Sequence, residues 1–297
     1  MSKQVTWFIV GDAPPPLDER FYYMDATDLA FWTSLTGIHD QESLKQHILT
    51  IQAKAYKKVP YPCIRNFSFL RTKVSKLPIF EQVQKIGCER PGSILLDIGC
   101  CFGNDAREIA YGGFPPCNIV CTDLVLELWD LGHALFLSNA DTFPAHFVSG
   151  DAFDPSHLSL GPPLLTAKHA CVPDLKNLTS LNPLRGHVSV IHASSFIHLF
   201  DEEKQLYLAR ALAGLLSPEP GSVIFGLQVG SPTKGPLSKT LFAESLELTF
   251  CHSPESWVDL WDGEVFERGT VKVDARLIQY PDIKEEFHVL LWSVLRL

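Results

Sequence analysis

No stretch of the chain approaches the roughly 18 consecutive apolar residues of a membrane-spanning helix, so no span is expected. Basic residues are scarce. The 25 Lys and Arg face 34 Asp and Glu, a net charge of -9, which argues against nucleic-acid binding through a basic face. Cysteine pairs with metal-ligand spacing are missing too. Of the eight cysteines, Cys100 and Cys101 are adjacent, Cys117 and Cys121 are four apart, and no CxxC occurs. Reduced, mostly buried thiols and no metal are expected. The N-terminal MSKQVTWFIVGDAPPP lacks the small-residue cleavage pattern of a signal peptide. A soluble, cytoplasmic protein is therefore expected. There is neither an internal repeat nor a low-complexity tract.

What is present centres on residues 94–107, ILLDIGCCFGNDAR. An apolar run ends in Asp97, then come Gly99, two cysteines, Phe102 and Gly103, with Asn104 and Asp105 as candidate helix caps. This reads as buried strand, tight glycine turn and helix start, a seat for a nucleoside-bearing ligand at the strand's carboxyl end. The dinucleotide pattern G-x-G-x-x-G is not met, because Cys101 stands at the middle glycine, and no GK[ST] follows. A dinucleotide and a triphosphate are thus disfavoured.

Residues 1–22, with Pro14, Pro15 and Pro16, read as an arm. Apolar spacing predicts helices from Asp25 to Gly37, after Asp40, and over 76–87. These make a helical cap of residues 1–90 before a second unit, 91–297. In that unit strands are expected near 94–98, 118–122, 145–149, 188–193, 222–228, 270–278 and 287–296. Helices are expected near 104–111, 124–137, 201–216 and 253–262. Such alternation means an α/β fold with a mostly parallel sheet covered on both faces. The last two strands, joined around Tyr280, Pro281 and Asp282, read as an antiparallel hairpin. Residues 154–187 form a long connection with at most a short helix.

Three further strand ends carry polar groups. Asp123 lies twenty residues after Gly103; it suits either ribose hydroxyls or the cap of the next helix. Asp151, Ala152 and Phe153 offer a carboxylate and an amide to an adenine edge and a ring to pack on it, or form a simple Asp turn. His192 and His198 follow the next strand; each is a candidate general base or a packed histidine.

The order D-x-G-x-C-x-G, the acid at the second strand, Asp-Ala at the third and H-L-F-D after the fourth resemble class I S-adenosylmethionine-dependent methyltransferases. YPCIRNFSFL, HASSFIHLFDEEKQ, GSVIFGLQVG and HSPESWVDLWDG are similar to fungal secondary-metabolite O-methyltransferases acting on meroterpenoid and polyketide intermediates. The resemblance implies a Rossmann-like seven-stranded sheet with an antiparallel C-terminal hairpin and a helical N-terminal cap. It implies S-adenosyl-L-methionine as cofactor. Asp97, Gly99 and Gly103 would hold the methionine moiety, Asp123 and Leu124 the ribose, and Asp151, Ala152 and Phe153 the adenine. Cys101 departs from the pattern; its side chain displaces the backbone or points into the pocket.

The expected reaction is O-methylation of a lipophilic small molecule. A carboxylic acid, with a pKa near 4, is ionised without help and would give a methyl ester. A phenol near 10 needs a base, for which His192 and His198 are the candidates. A cyclase that binds the cofactor and transfers no methyl is the other alternative. Tyr23, Trp32, Phe67, Phe69, Phe196 and Trp257 are candidates for the acceptor wall or for core. Arg65 and Arg71 are candidates to hold a carboxylate or are surface residues. A homodimer is expected from the family and the arm.

Overall fold

The computed structural model describes residues 14–166, 173–236, 250–279 and 288–297. The chain begins with a helical layer: α1 (Ala26–Thr36), α2 (Gln41–Lys58), α3 (Pro62–Arg65) and α4 (Phe80–Glu89). It then alternates β1 (Ile94–Ile98), α5 (Asn104–Tyr111), β2 (Ile119–Thr122), α6 (Leu126–Leu135), β3 (His146–Phe147), β4 (Val188–His192) and α7 (Glu202–Leu215). Last come β5 (Val223–Gly230), the short β6 (Gly235–Pro236) and β7 (Phe250–Cys251), α8 (Pro254–Trp261), β8 (Val271–Gln279) and β9 (His288–Arg296). The expected helices and strands appear in order, with bounds shifted by a few residues; α3, β6 and β7 are additions to that expectation.

Seven strands form one sheet in the order β3-β2-β1-β4-β5-β9-β8. Pairing is parallel from β3 to β5 and antiparallel for β5–β9 and β8–β9. The hairpin is as expected, with β9 inside the sheet and β8 at its edge; the turn around Tyr280 lies outside the described residues. In this order β1 and β4 flank the switch point, where chain connections leave to opposite sides. A crevice opens there at the carboxyl ends of the strands.

β1 is buried along its whole length. Its side chains alternate between two cores, as the period-two pleat requires. Ile94, Leu96 and Ile98 join the cluster of α7 and α8, while Leu95 faces the cluster of α4, α5 and β2. Asp97 therefore points to the α5 side, and so does His192 of β4, its register partner.

The N-terminal layer shares a core with the sheet unit. Trp32, Leu44, Ile48 and Phe69 pack with Phe102 of the glycine turn and with Leu128, Leu135 and Phe136 of α6. The Trp32 and Phe136 rings stack at 4.5 Å, and the Trp32 indole N–H donates to Leu70 O at 2.8 Å. Asp25 and Asp28 form the capping box that starts α1, and left-handed Gly37 (φ 69°) ends it. Asp28 also accepts from the Thr72 N–H and hydroxyl, each at 2.8 Å. The described part of the arm lies along α2 and α3: Pro15 O accepts from the Tyr56 hydroxyl and Pro16 O from Arg65 Nε.

α5 departs from expectation. Its N-cap is Gly103, left-handed at φ 70°, with no side-chain cap bond. Asn104 instead turns its amide to Phe69 O. One turn further on, Glu108 accepts from Lys73 N (3.0 Å), Val74 N (3.2 Å), Ser75 N (2.8 Å) and Ser75 Oγ (2.5 Å). A single buried carboxylate thus staples the chain before α4 to α5. Glu108→Gln keeps one acceptor oxygen and turns an amide toward donors. It is expected to lower stability by about 2–4 kcal/mol, read by urea denaturation. A loss near zero would show that the four bonds do not hold this junction.

Candidate active site

The turn leaving β1 is built on the backbone of β2. The Gly99 and Cys100 amides donate to Thr122 O at 2.9 and 3.2 Å. Gly99 has φ 72°, and a Cβ there would stand 2.6 Å from the Phe196 ring. A Cβ on Gly103 would meet Trp129 at 2.6 Å. Neither position tolerates a side chain. Between them Cys101 is left-handed at φ 51°, a conformation costing roughly 1–2 kcal/mol without glycine. Its N–H donates to Asp123 Oδ2 at 2.9 Å, which compensates part of that strain.

Asp123 follows β2 and bonds both ways. Oδ2 takes the Cys101 amide, and Oδ1 takes the Val125 amide at 3.1 Å. Burial pushes its carboxyl up, opposed by these amides. Asp151 follows β3, and its Oδ1 accepts from Phe153 N at 2.9 Å. Asp151 makes the Asp turn, whereas Asp123 does not cap α6, whose N-cap is Val125 without a side-chain bond; each carboxylate keeps lone pairs for a second donor.

A cavity of about 400 Å³ opens over these strand ends, a size suited to a small molecule. Gly99, Cys101, Asp123, Leu124, Asp151, Ala152 and Phe153 form one side. Tyr61, Pro62, Cys63, Asn66 and Ser68 close it from the N-terminal layer. Ser195, Phe196, His198, Phe200 and Val229 form the far side. Among the described residues no lysine or arginine lines it, and no His, Cys, Asp and Glu converge as a metal site requires.

Three expected site residues stand behind the wall. Gly103 packs on Trp129. Asp97 and His192 are 2% and 1% exposed, with Asp97 Oδ1 and His192 Nδ1 2.7 Å apart. His192 Nε2 lies 2.6 Å from Ser194 Oγ and 3.8 Å from Asp105. Burial raises the Asp97 pKa. Burial alone would lower that of His192, but the Asp97 charge outweighs it and the net shift is upward. Asp97 Oδ2 is buried with no hydrogen-bond partner, while the Ala106 amide favours the ionised form. As a base His192 is thus misplaced: its ring is spent on a strut between β1 and β4 and does not reach the cavity.

His198 does reach the wall. Burial depresses its pKa to about 4, and it depresses that of His157 as well. The Cys63–Cys101 hydrogen bond pulls the Cys63 thiol down and pushes Cys101 up. Cys101 lines the cavity and packs against the core of the N-terminal layer.

Of the six aromatic candidates only Phe196 lines the cavity. Trp32, Phe67, Phe69 and Trp257 are core, and Tyr23 is 61% exposed. Arg65 bonds Pro16 O, and Arg71 pairs with Asp28 at 3.1 Å, so neither serves a ligand here. Tyr61, Asn66 and Ser68 also line the wall; they lie in YPCIRNFSFL, which carried the resemblance but no site role, and His157 joins them from no motif. The Tyr61-Pro62 helix stop was the nearest signal, since a chain reversal at the cap's edge places its residues over the crevice.

The family model for the meroterpenoid methyltransferase N-terminal domain matches residues 20–70. The O-methyltransferase phiE of Fungal sp. (strain ATCC 74256) is 31% identical over 229 residues, 77% of this chain and 68% of the relative. The asnovolin E/chermesin D methyltransferase nvfJ of Aspergillus novofumigatus is 30% identical over 216 residues, 73% of this chain and 68% of the relative. The methyltransferase ausD of Penicillium brasilianum is 27% identical and covers 84% and 80%.

His192→Phe strands the Asp97 charge. A loss of about 3–5 kcal/mol in chemical denaturation is expected, as for a buried pair deprived of one partner. The loss should shrink as pH falls, because the stranded carboxylate then takes up a proton. A variant as stable as the parent would return His192 to the list of free site residues.

Proposed function

The chain belongs to the fungal secondary-metabolite methyltransferases, and from that membership we propose methyl transfer from S-adenosyl-L-methionine to the carboxylate of a lipophilic intermediate, giving a methyl ester. The residues present fit this cofactor. Asp123 would accept the ribose hydroxyls beside Leu124. Asp151 would accept the adenine amine, the Ala152 amide would donate to a ring nitrogen, and Phe153 would pack on the ring. Gly99 on the cavity wall would let the methionine moiety approach the backbone, while Asp97, buried against His192, supports that turn from behind. When bound, the cofactor supplies a methyl group on a cationic sulfur, so that it and an anionic acceptor both end neutral.

The chain's own contribution is placement and exclusion of water. The N-terminal layer roofs the cavity, and its largely apolar lining strengthens the attraction between acceptor anion and donor cation. Alignment of the two is a source of roughly 7–11 kcal/mol.

One observation carries the choice of a carboxylic acid. The wall histidines are held neutral, His198 near 4 and His157 below its ordinary value. A group titrating near 4 is a poor base for a phenol near 10, whereas a carboxylic acid ionises unaided. A second reading, a methyl ether formed on a phenol, would take its base from the Cys63 thiol on the wall. We also propose a cytoplasmic protein and a homodimer, the latter supported by exposed Phe21 on the arm and Tyr23 just after it (44% and 61%).

The test is incubation of the full chain with methyl-labelled cofactor and a panel of lipophilic acids and phenols. Label that mild alkali releases as methanol is expected, with kcat/KM flat through neutral pH. Alkali-stable label on phenols, lost in Cys63→Ser, would favour the second reading instead. For the cofactor, Asp123→Ala should weaken S-adenosylhomocysteine binding by about 10- to 100-fold in calorimetry. Asp123→Asn, which keeps an acceptor for the Cys101 amide, separates this contact from damage to the turn. Unchanged affinity in both variants would sink the ribose assignment.

A further inference from the structure

His198 sits in the single helical turn Ile197–Leu199 that follows β4. Its ring lines the cavity, and the residue is 8% exposed. The two ring nitrogens differ. Nδ1 is sealed from the cavity and has no hydrogen-bond partner. Nε2 is not sealed, and among the described residues nothing bonds it. This asymmetry decides where the single proton of a neutral imidazole resides. A proton on Nδ1 would bury an N–H with no acceptor. A proton on Nε2 leaves only a lone pair unpaired, and orphan buried N–H groups are the rarer defect in folded proteins.

We propose that His198 presents Nε2–H to the cavity and that this donor holds one oxygen of the acceptor carboxylate. The inference rests on the carboxylic-acid reading above, and it turns the expected general base into a hydrogen-bond donor. With no lysine or arginine on the wall among the described residues, the anion has no cationic contact there. A neutral donor orients it while withdrawing little charge from the oxygen that attacks. The second carboxylate oxygen stays unbonded and directs its electron pair at the methyl group. Burial that keeps the imidazole uncharged preserves this balance at neutral pH. A protonated ring would grip the acceptor as an ion pair and blunt it.

The cofactor-free chain, labelled with nitrogen-15 in its histidines, provides a readout independent of turnover. A long-range proton–nitrogen spectrum, with His198 assigned by its loss in His198→Gln, should show the Nε2–H tautomer without titration through neutral pH. An Nδ1–H tautomer, or titration near 6.5, would overturn the proposal. With the acid found by the panel, His198→Phe should raise KM at least tenfold while S-adenosylhomocysteine affinity holds. His198→Gln, which places an amide N–H near the Nε2 position, should recover most of that loss. Acids methylated with unchanged KM in His198→Phe, or with Gln as poor as Phe, would defeat this role and leave the methyl-ester reading intact. Methylation of phenols with no acid accepted would overturn both.

Discussion

The 2.7 Å contact between Asp97 and His192 is the constraint on which the site depends. It joins register partners on β1 and β4, at the point where the sheet's connections part to opposite faces. Alone, either group would be costly to bury as a charge. Together they pin the two strand ends, so the turns that leave them emerge side by side. Gly99 then lies against the Phe196 ring, and the ring faces the cavity. Ser194, bonded to the same imidazole, also accepts from Leu227 N of β5 at 3.2 Å. Three adjacent strands are thereby tied under one cavity.

The helical layer completes what the sheet begins. Its core is continuous with the glycine turn through Phe102 and with α6 through Phe136. Trp32 and Phe69 are spent on that junction, which leaves Tyr61, Asn66 and Ser68 to face the cavity. Glu108 fixes the chain before α4 to the helix that starts at the glycine turn. Roof and floor are therefore bonded to the same helix, α5, and the cavity between them has a defined width.

Much of this was legible in the sequence because it rests on local pattern. Apolar runs bounded by Gly, Asp and Pro placed each sheet strand, and the spacing of Asp97, Asp123 and Asp151 marked three strand ends. What was hidden depends on register and packing. Nothing local tells that His192 stands opposite Asp97 rather than toward solvent, so base and packed histidine both stayed open. Trp32 and Phe69 look the same whether they line a cavity or fill a core; the choice is made by α6, far along the chain. The start of α5 was hidden for another reason. Asn104 is a good cap by type, but Gly103 takes the left-handed conformation first and Asn104 is drawn to Phe69 O.

Cys101 shows how a departure from pattern is accommodated. A left-handed residue with a side chain is strained, yet its amide finds Asp123 and its side chain packs on the core of the roof. Gly99 and Cys101 of this turn line the cavity. A crystal structure of the chain with S-adenosylhomocysteine tests this arrangement most directly. Density for the adenosine between Asp123 and Asp151, with the sulfur toward His198 beneath the roof, is the predicted result. Adenosine density elsewhere, or none at saturating ligand, would contradict it.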